Sequence, residues 1–300
     1  MKLLALASAS LLVAHAALAV EPPSAARPAL RFGVVSFYNP RLMYLKYQPL
    51  VDYLTIATGH PWELVIGASY EDTVQDLCNG KLTVAYLGPF SYLRAHAACG
   101  AVPVVKLNTG GKPTYSSVIL VRTDSPIKSV KDLAGKRFGF GSPMGTSAHL
   151  LPRAMLEDAG LHPGLDVACR YFFHHERAAR AVLLGEVDAC GVRDIVGETF
   201  THRELRILAR SEGTANFPFV VAQSSTPALR EELFNALVAR PRVDPAAAAA
   251  IRSWDEELSG GFVAATDADY TPVRRLALRV FGPNALTLRE AELQCGPGSP

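Results

Sequence analysis

The chain has 300 residues, 49% of them hydrophobic, and its 30 Lys and Arg against 28 Asp and Glu leave a net charge of +2. This near balance of charge argues against a nucleic-acid-binding protein, which would present a basic surface. The length exceeds what a single hydrophobic core usually holds, so we expect two lobes.

The first residues predict export. Lys2 precedes an apolar run at residues 3–13, and Ala17, Leu18 and Ala19 form a small-residue cleavage site, so residues 1–19 are interpreted as a secretory signal. A membrane anchor is the weaker alternative, because the run is shorter than the roughly 20 residues that span a bilayer. We therefore expect a soluble protein of the periplasm.

Apolar runs of strand length alternate with helical segments from residue 31 onward. A first series has predicted strands at residues 32–35, 63–66, 83–86 and 102–107 and a helix at 47–58. A second series has strands at 117–121, 137–140, 167–173 and 187–191, with helices at 147–159 and 176–184. This alternation predicts two α/β lobes, each with a largely parallel sheet covered by helices.

The last third of the chain predicts one more strand at residues 217–222 and then an Ala-rich helical region at 227–252, which we expect to return to the first lobe. The chain would then cross between the lobes twice, near 115–122 and near 211–222, and form a two-strand hinge beside a cleft. The predicted organisation is residues 30–115 plus 217–285 for lobe 1, 116–216 for lobe 2 and 286–300 for a C-terminal tail.

The five cysteines are Cys78, Cys99, Cys169, Cys190 and Cys295. An oxidising compartment would permit two disulfides and one free thiol. We favour Cys78 with Cys99 and Cys169 with Cys190, because each pair falls within one predicted strand-helix repeat. Free buried cysteines are the alternative.

The turn at residues 141–148 joins a predicted strand to a predicted helix. Thr146 and Ser147 stand at the helix start, where the first backbone N–H groups have no internal partner and the helix dipole is positive. An oxyanion can accept those N–H groups, and Gly145 lets a ligand approach the backbone closely. The alternative is an ordinary helix cap, which Ser and Thr supply in many helices that bind nothing.

Two further strand ends point to the same cleft, since ligands of open α/β sheets lie at the carboxyl ends of strands. Tyr86 ends one strand, and a helix is predicted to start at Pro89, although aromatic residues here could instead close the core. His174 and His175 end another. Neighbours on an extended chain point to opposite sides, so one histidine donating to an oxyanion is favoured over a shared metal ion.

Motifs of catalysis are lacking. The sequence contains no Gly-x-Ser-x-Gly elbow, no His-Glu-x-x-His zinc motif, no Walker loop and no Rossmann glycine fingerprint. We expect a protein that is not an enzyme and that holds no metal and no cofactor. An exported hydrolase is the alternative from another class, with Ser147 as nucleophile and His175 as base.

Together these segments resemble the periplasmic substrate-binding proteins of phosphate, phosphite and phosphonate ABC transporters. The resemblance extends over residues 31–239, with a weaker family-like ending at 262–276. It rests on five ordered blocks, at residues 33–35, 47–54 with 58–59, 86–92, 125–127 with 132–136, and 185–189. The resemblance implies a type II periplasmic binding protein fold, in which two α/β lobes joined by a two-strand hinge close on a ligand.

The family pattern at the turn is Pro, any residue, Ser-Thr-Ser-Gly, and a second Pro four residues later. The matching residues are Pro143, Thr146, Ser147 and Pro152. Gly145 replaces the first Ser and Ala148 replaces the Gly, so one hydroxyl donor is missing, although the Gly145 N–H could still donate.

The resemblance also implies ligand contacts from Tyr70 and His175, by local match. Where phosphonate binders can hold a ligand amine with acidic side chains, this chain has Arg193, which favours a small anion without an amino group. A solvent-facing helix start is the alternative for Arg193. The full set of predicted ligand-binding residues is Tyr70, Tyr86, Tyr115, Gly145, Thr146, Ser147, His175 and Arg193.

The expected partners follow from this resemblance. We expect a monomer that captures a phosphonate, phosphite or phosphate-like oxyanion and delivers it to an ABC transporter permease, with no nucleic-acid partner. The alternative is a periplasmic oxyanion sensor for a two-component histidine kinase, in which a thiol near the cleft could bind arsenite as the thiolate.

Overall fold

The computed structural model describes residues 28–202 and 204–295 of the chain. The predicted signal sequence lies outside the described residues. The strands are β1 (Leu30–Val34), β2 (Trp62–Ile66), β3 (Val84–Tyr86), β4 (Val102–Leu107), β5 (Thr114–Tyr115), β6 (Ser117–Arg122), β7 (Arg137–Phe140), β8 (Ala168–Tyr171), β9 (Ala189–Arg193), β10 (Leu205–Arg210), β11 (Thr214–Ala215), β12 (Pro218–Val221) and β13 (Phe262–Ala264).

The α-helices are α1 (Pro40–Thr58), α2 (Tyr70–Cys78), α3 (Pro89–Cys99), α4 (Leu151–Asp158), α5 (His175–Leu183), α6 (Asp194–Thr201), α7 (Pro227–Phe234), α8 (Arg240–Val243), α9 (Pro245–Arg252), α10 (Glu256–Ser259), α11 (Thr271–Phe281) and α12 (Glu290–Leu293). Two π-helical turns, Thr146–Leu150 and Asn235–Ala239, lead into α4 and α8. Three 3₁₀ turns lie at Thr109–Gly111, Val130–Leu133 and Asp267–Tyr270.

Eleven of these strands form two sheets that are built on the same plan. The first has the order β2-β1-β3-β12-β4-β13, and the second has the order β8-β7-β9-β6-β10. In the first sheet β1 runs parallel to β2 and β3, and β12 returns antiparallel between β3 and β4. In the second sheet β7 runs parallel to β8 and β9, and β6 is antiparallel to β9.

A short ribbon connects the two sheets. β5 and β11 pair antiparallel, with Tyr115 opposite Thr214, where the chain leaves the first sheet and where it comes back. The strands of the first sheet therefore come from two parts of the chain, one before and one after the segment that forms the second sheet. The exact lobe boundaries stay a prediction.

Local sequence signals account for most element boundaries, but two helical predictions were wrong in detail. Helix α1 begins at Pro40, well before residue 47, because Asn39 accepts the Leu42 N–H and Pro40 takes the first helical position. The helical region at 227–252 is not continuous, since Asp244 leaves the helical conformation and caps α9. Strand β10 was not predicted.

The disulfide prediction is confirmed for one pair and wrong for the other. Cys78 and Cys99 are bonded and join α2 to α3. Cys169 is bonded to Cys295, and Cys190 is free and buried. Cys169 and Cys190 lie on β8 and β9, on opposite sides of β7, so two strand spacings of about 4.8 Å each keep them too far apart.

The C-terminal segment, which we define as residues 282–295, contacts both lobes. Arg94 of α3 donates to the carbonyl oxygens of Ala285 and Leu288, while the Cys295 sulfur is bonded to β8 of the second sheet. Leu293 between these points is fully buried. The division between lobe 1 and a C-terminal tail at residue 286 stays a prediction, and residues 296–300 lie outside the described residues.

Candidate functional site

The carboxyl ends of the parallel strands of both sheets meet at one junction, which we call the cleft. Tyr86 is the last residue of β3, Arg193 is the last residue of β9, and Tyr115 ends the crossing strand β5. His175 opens α5 a few residues beyond the end of β8. The strand-end placement that the sequence suggested thus brings tyrosines of the first lobe against Arg193 and His175 of the second.

The two lobes are in direct contact across the cleft. The Phe90 N–H at the start of α3 donates to Thr146 Oγ1 at 2.8 Å, and Ser91 Oγ donates to the Met144 carbonyl at 3.0 Å. The His175 N–H donates to the Phe37 carbonyl at 3.2 Å. These bonds join residues of both lobes, so the structure is the closed arrangement.

A buried ion pair occupies the centre of the cleft. Arg193 Nη1 lies 2.5 Å from Glu257 Oε1, and both side chains are 1% exposed. The same Glu257 oxygen accepts the Tyr86 hydroxyl at 2.5 Å, and Oε2 accepts the Tyr47 hydroxyl at 3.1 Å. Arg193 Nη2 donates to Asn216 Oδ1 at 2.9 Å. The Glu257 carboxylate therefore takes donors that an oxyanion ligand would otherwise use.

Electrostatics keep this cluster in one protonation state. Burial alone would lower the pKa of Arg193, but attraction to Glu257 outweighs it, and the pKa is raised well above its ordinary value. Burial, followed by the Glu257 charge, raises the pKa of Tyr86 and of Tyr47. Arg193 is therefore charged and both tyrosines are neutral hydroxyl donors.

The opposite side of Arg193 carries donors without partners. Among the described residues, Arg193 Nε is buried and makes no hydrogen bond. The buried Tyr115 hydroxyl makes none of ordinary geometry, although the hydroxyls of Thr146 and Ser147 lie close enough to interact with it. The Arg193 guanidinium lies over the Tyr115 ring, 5.0 Å from its centroid. Burial raises the pKa of Tyr115, although Arg193 and the hydroxyls of Thr146 and Ser147 act to lower it. These four side chains therefore adjoin one another at the helix start.

His175 is held as a neutral ring. Its Nδ1 accepts the Arg193 N–H at 3.0 Å, which leaves Nε2 to carry the proton. Burial, together with the charges of Arg193 and His174, lowers the pKa of His175 to about 3. A neutral histidine that carries its proton on Nε2 can donate one hydrogen bond to an anion.

Sequence comparison identifies the kind of protein that has this cleft. The family described as the periplasmic substrate-binding protein of phosphonate ABC transporters matches residues 32–270. The chain belongs to this family. The Phosphate-import protein PhnD of Mycolicibacterium smegmatis is 28% identical over 253 residues, with 77% of this chain and 79% of that protein covered.

Two further relatives agree with the family. The Phosphonates-binding periplasmic protein of Escherichia coli is 25% identical over 262 residues, which cover 83% of this chain and 76% of that protein. The structure of PhnD1 from Prochlorococcus marinus in complex with methylphosphonate superposes with a TM-score of 0.75 at 17% identity, covering 85% of this chain and 98% of that one. The fold is thus the type II periplasmic binding protein fold.

Membership in this family fixes the general role. The protein is a periplasmic substrate-binding component of an ABC transporter, with a small-molecule ligand and a membrane permease as partner. Across residues 28–202 and 204–295, no helix is both long enough and apolar enough to span a bilayer. In the same residues no group of three or more His, Cys, Asp or Glu side chains could hold a metal ion.

Most predicted ligand residues of this family member lie together. Thr146, Ser147, Tyr86, Tyr115, His175 and Arg193 converge on the cleft as described above. Tyr70 is buried at the start of α2, near enough for Tyr115, Arg193 and Glu257 to affect its pKa, which burial raises. Arg193 is not the solvent-facing helix start that was its alternative.

The Gly145 prediction was wrong in one respect. The Gly145 N–H, which could have replaced the missing hydroxyl as a donor, is already used, because it donates to the Ser142 carbonyl at 2.8 Å. A Cβ at position 145 would lie 2.9 Å from that same oxygen. The turn is therefore held by its own backbone hydrogen bond, and the absence of a side chain at Gly145 leaves room for the Ser142 carbonyl.

The structure gives no support to two alternative chemistries. Among the described residues no hydrogen bond joins Ser147 to His175, whose Nδ1 is already occupied by Arg193, so the nucleophile and base of a hydrolase are not paired. Cys190 lies on β9, between Leu120 of β6 and Gly139 of β7, and its side chain is buried. Burial raises the pKa of its thiol. A sensor role stays a prediction, but Cys190 does not supply the thiolate that arsenite binding would need.

Sequence reasoning missed Glu257 and Asn216. Glu257 follows Asp255 and Glu256 in an acidic run, a pattern that is typical of an exposed helix start. Asp255 indeed caps α10 and accepts the Glu257 N–H. No local signal separates the one buried carboxylate of this run from its exposed neighbours.

Proposed function

We propose that this protein captures a small tetrahedral oxyanion of the phosphonate, phosphite or phosphate class between its lobes and delivers it to the permease. The supporting observation is the group of unpaired donors beside a helix start. The Tyr115 hydroxyl and Arg193 Nε are buried without partners, next to Thr146 and Ser147. Buried donors without acceptors cost free energy unless a ligand satisfies them.

The geometry suits a tetrahedral anion. The helix that begins with the turn Thr146–Leu150 continues through α4, so its positive end and its first N–H groups face the cleft. His175 Nε2 and the Tyr115 hydroxyl would add neutral donors, whereas the Tyr86 and Tyr47 hydroxyls are already bonded to Glu257. A tetrahedral oxyanion presents several acceptor oxygens, and donors from both lobes would hold it only when the lobes are closed.

The names of the relatives support this ligand class. One relative is a phosphate-import protein, another is a phosphonates-binding protein, and a third binds methylphosphonate in its solved structure. The role proposed here is binding without chemical turnover. Charge-assisted hydrogen bonds of about 1.5 to 3 kcal/mol each could together reach micromolar affinity, about −8 kcal/mol, after the cost of association.

Isothermal titration calorimetry tests the proposal. The mature protein is titrated with methylphosphonate, phosphite, phosphate, sulfate and arsenite, and we expect micromolar or tighter binding for at least one phosphorus oxyanion. A Ser147→Ala variant should bind it at least tenfold more weakly, because one hydroxyl donor to a charged ligand is lost.

Thr226→Ala is the matched control, since Thr226 caps α7 with the same hydroxyl chemistry outside the cleft. It should lower the free energy of unfolding by about 1 kcal/mol and leave the affinity unchanged. A folded wild-type protein that binds none of these anions would contradict the oxyanion proposal.

A further inference from the structure

The ion pair at the centre of the cleft is unexpected for a protein that binds anions. Glu257 is contributed by α10 of the first lobe and is as deeply buried as its partner Arg193. A carboxylate only accepts hydrogen bonds, and it repels a second negative charge. Its presence must therefore affect which anions can enter.

The charges that face Glu257 can be counted from each element packed against it. Arg193 at the end of β9 is its counter-ion, and His175 beyond it is neutral because its pKa is lowered to about 3. The five tyrosines around the pair have raised pKa values and are neutral; they are Tyr38, Tyr47, Tyr70, Tyr86 and Tyr115.

One more pair lies at the edge of this cluster. Lys46 of α1 lies 2.6 Å from Asp255, two residues before Glu257 in the chain, so these two charges cancel each other. Arg193 and Glu257 are thus one positive and one negative charge in the buried centre. The half-buried carboxylates of Asp194 and Glu176 act on Tyr115 and Tyr38 from its edge, so the cleft carries no net positive charge before a ligand arrives.

A neutral buried site treats singly and doubly charged anions very differently. The cost of removing an ion from water rises with the square of its charge, and an anion inside the cleft interacts with Arg193 and Glu257 together rather than with Arg193 alone. The remaining donors, on Tyr115, Thr146, Ser147 and His175, are neutral. They can stabilise one negative charge through hydrogen bonds but supply no second positive charge.

We propose that Glu257 selects the charge state of the ligand, so that the cleft accepts the singly ionised, proton-bearing form of an oxyanion and rejects the doubly ionised form. This inference rests on the proposed oxyanion-binding function. Glu257, which the sequence did not single out, is then a specificity-determining residue. The substrate class is the monoanion of an oxyacid whose second pKa is near neutral pH.

The first arm of the test uses the unmodified protein. Methylphosphonate is titrated at several pH values from 5.5 to 9, in two buffers of different ionisation enthalpy, and sulfate serves as a tetrahedral dianion that carries no proton. We expect the affinity for methylphosphonate to fall about tenfold per pH unit above the second pKa of the ligand. One proton should be taken up per ligand bound in that range, and sulfate should bind at least a hundredfold more weakly than the methylphosphonate monoanion.

The second arm uses Glu257→Gln, which keeps an oxygen acceptor toward Arg193 but removes the negative charge. This variant should bind sulfate at least tenfold more tightly than the wild type does, and its affinity for methylphosphonate should lose most of its pH dependence. Glu157→Gln is the matched control, because Glu157 pairs with Arg153 at 3.1 Å on α4, outside the cleft. It should behave as the wild type in every titration.

The outcomes separate this inference from the function on which it rests. A wild-type protein that binds methylphosphonate equally well on both sides of its second pKa, with no proton uptake, would overturn the role of Glu257 and leave the oxyanion function intact. A folded wild-type protein that binds no phosphorus oxyanion at any pH would overturn both. Should Glu257→Gln fail to fold, the pH series and the proton count on the wild type still decide the matter.

Discussion

The two sides of Arg193 differ in how completely their polar groups are satisfied. On one side the Glu257 carboxylate receives three donors, from Arg193, Tyr86 and Tyr47. On the other side, the Tyr115 hydroxyl and Arg193 Nε have no partner among the described residues. The first side holds the closed fold together, and the second is the side that we propose for the ligand. Stability and affinity should therefore respond to different substitutions.

Breaking the satisfied side should have the largest effect. Arg193→Met leaves Glu257 buried without a counter-ion, and we expect the free energy of unfolding to fall by about 3 to 5 kcal/mol in urea titrations. The double variant Arg193→Met with Glu257→Gln should recover most of that loss, because no unpaired charge remains. A loss below about 1 kcal/mol for the single variant would show that the pair is not buried as described.

Acid should have the next largest effect on stability. His175 and His149, a buried residue of the turn Thr146–Leu150, both have pKa values lowered from 6.5 to about 3, chiefly by burial. The unfolded chain therefore binds protons that the folded protein does not, so stability is full above about pH 6.5 and falls as the pH drops toward 3.

The expected slope is about half of 1.4 kcal/mol per pH unit for each histidine at pH 6.5 and approaches about 1.4 kcal/mol per pH unit toward pH 5. Urea titrations between pH 7 and 5 measure it, and His175→Gln should remove one half of the slope and leave the half that belongs to His149. An unchanged slope in that variant would mean that His175 is protonated in the folded protein.

The open side should give the smallest change in stability. Tyr115→Phe removes a hydroxyl that lies beside those of Thr146 and Ser147 but makes no hydrogen bond of ordinary geometry, so the free energy of unfolding should change by less than about 0.5 kcal/mol. The affinity for the oxyanion should nevertheless fall about tenfold or more, as measured by calorimetry. Tyr47→Phe provides the contrast, since it removes a donor to Glu257 and should cost about 1 kcal/mol or more of stability.

The sequence predicted the parts of the cleft that depend on neighbouring residues. The helix start at Thr146, the strand end at Tyr86 and the first helical position of Pro89 each follow from capping and breaking preferences within a few residues. These signals are local because a helix start needs only its own first turn. The resemblance to a family then brought them into one cleft.

The parts that the sequence did not predict depend on distant residues. Glu257 is paired with a residue of the other lobe, and Cys169 is bonded to a cysteine 126 positions away. No periodicity or turn motif reports such pairs, because their proximity is created by the packing of two sheets. The wrong partner for Cys169 came from assuming that proximity in the chain means proximity in space.

The bond between Cys169 and Cys295 gives the protein a third, covalent link between its halves. A bilobed receptor joined by two crossing strands alone can swing open to any angle that the strands allow. Here Arg94 binds the backbone near residues 285 and 288, and the chain reaches β8 only a few residues later. The seven residues from 288 to 295 can span roughly 25 Å at most. While the Arg94 hydrogen bonds persist, this segment therefore limits how far the two lobes can separate at the cleft.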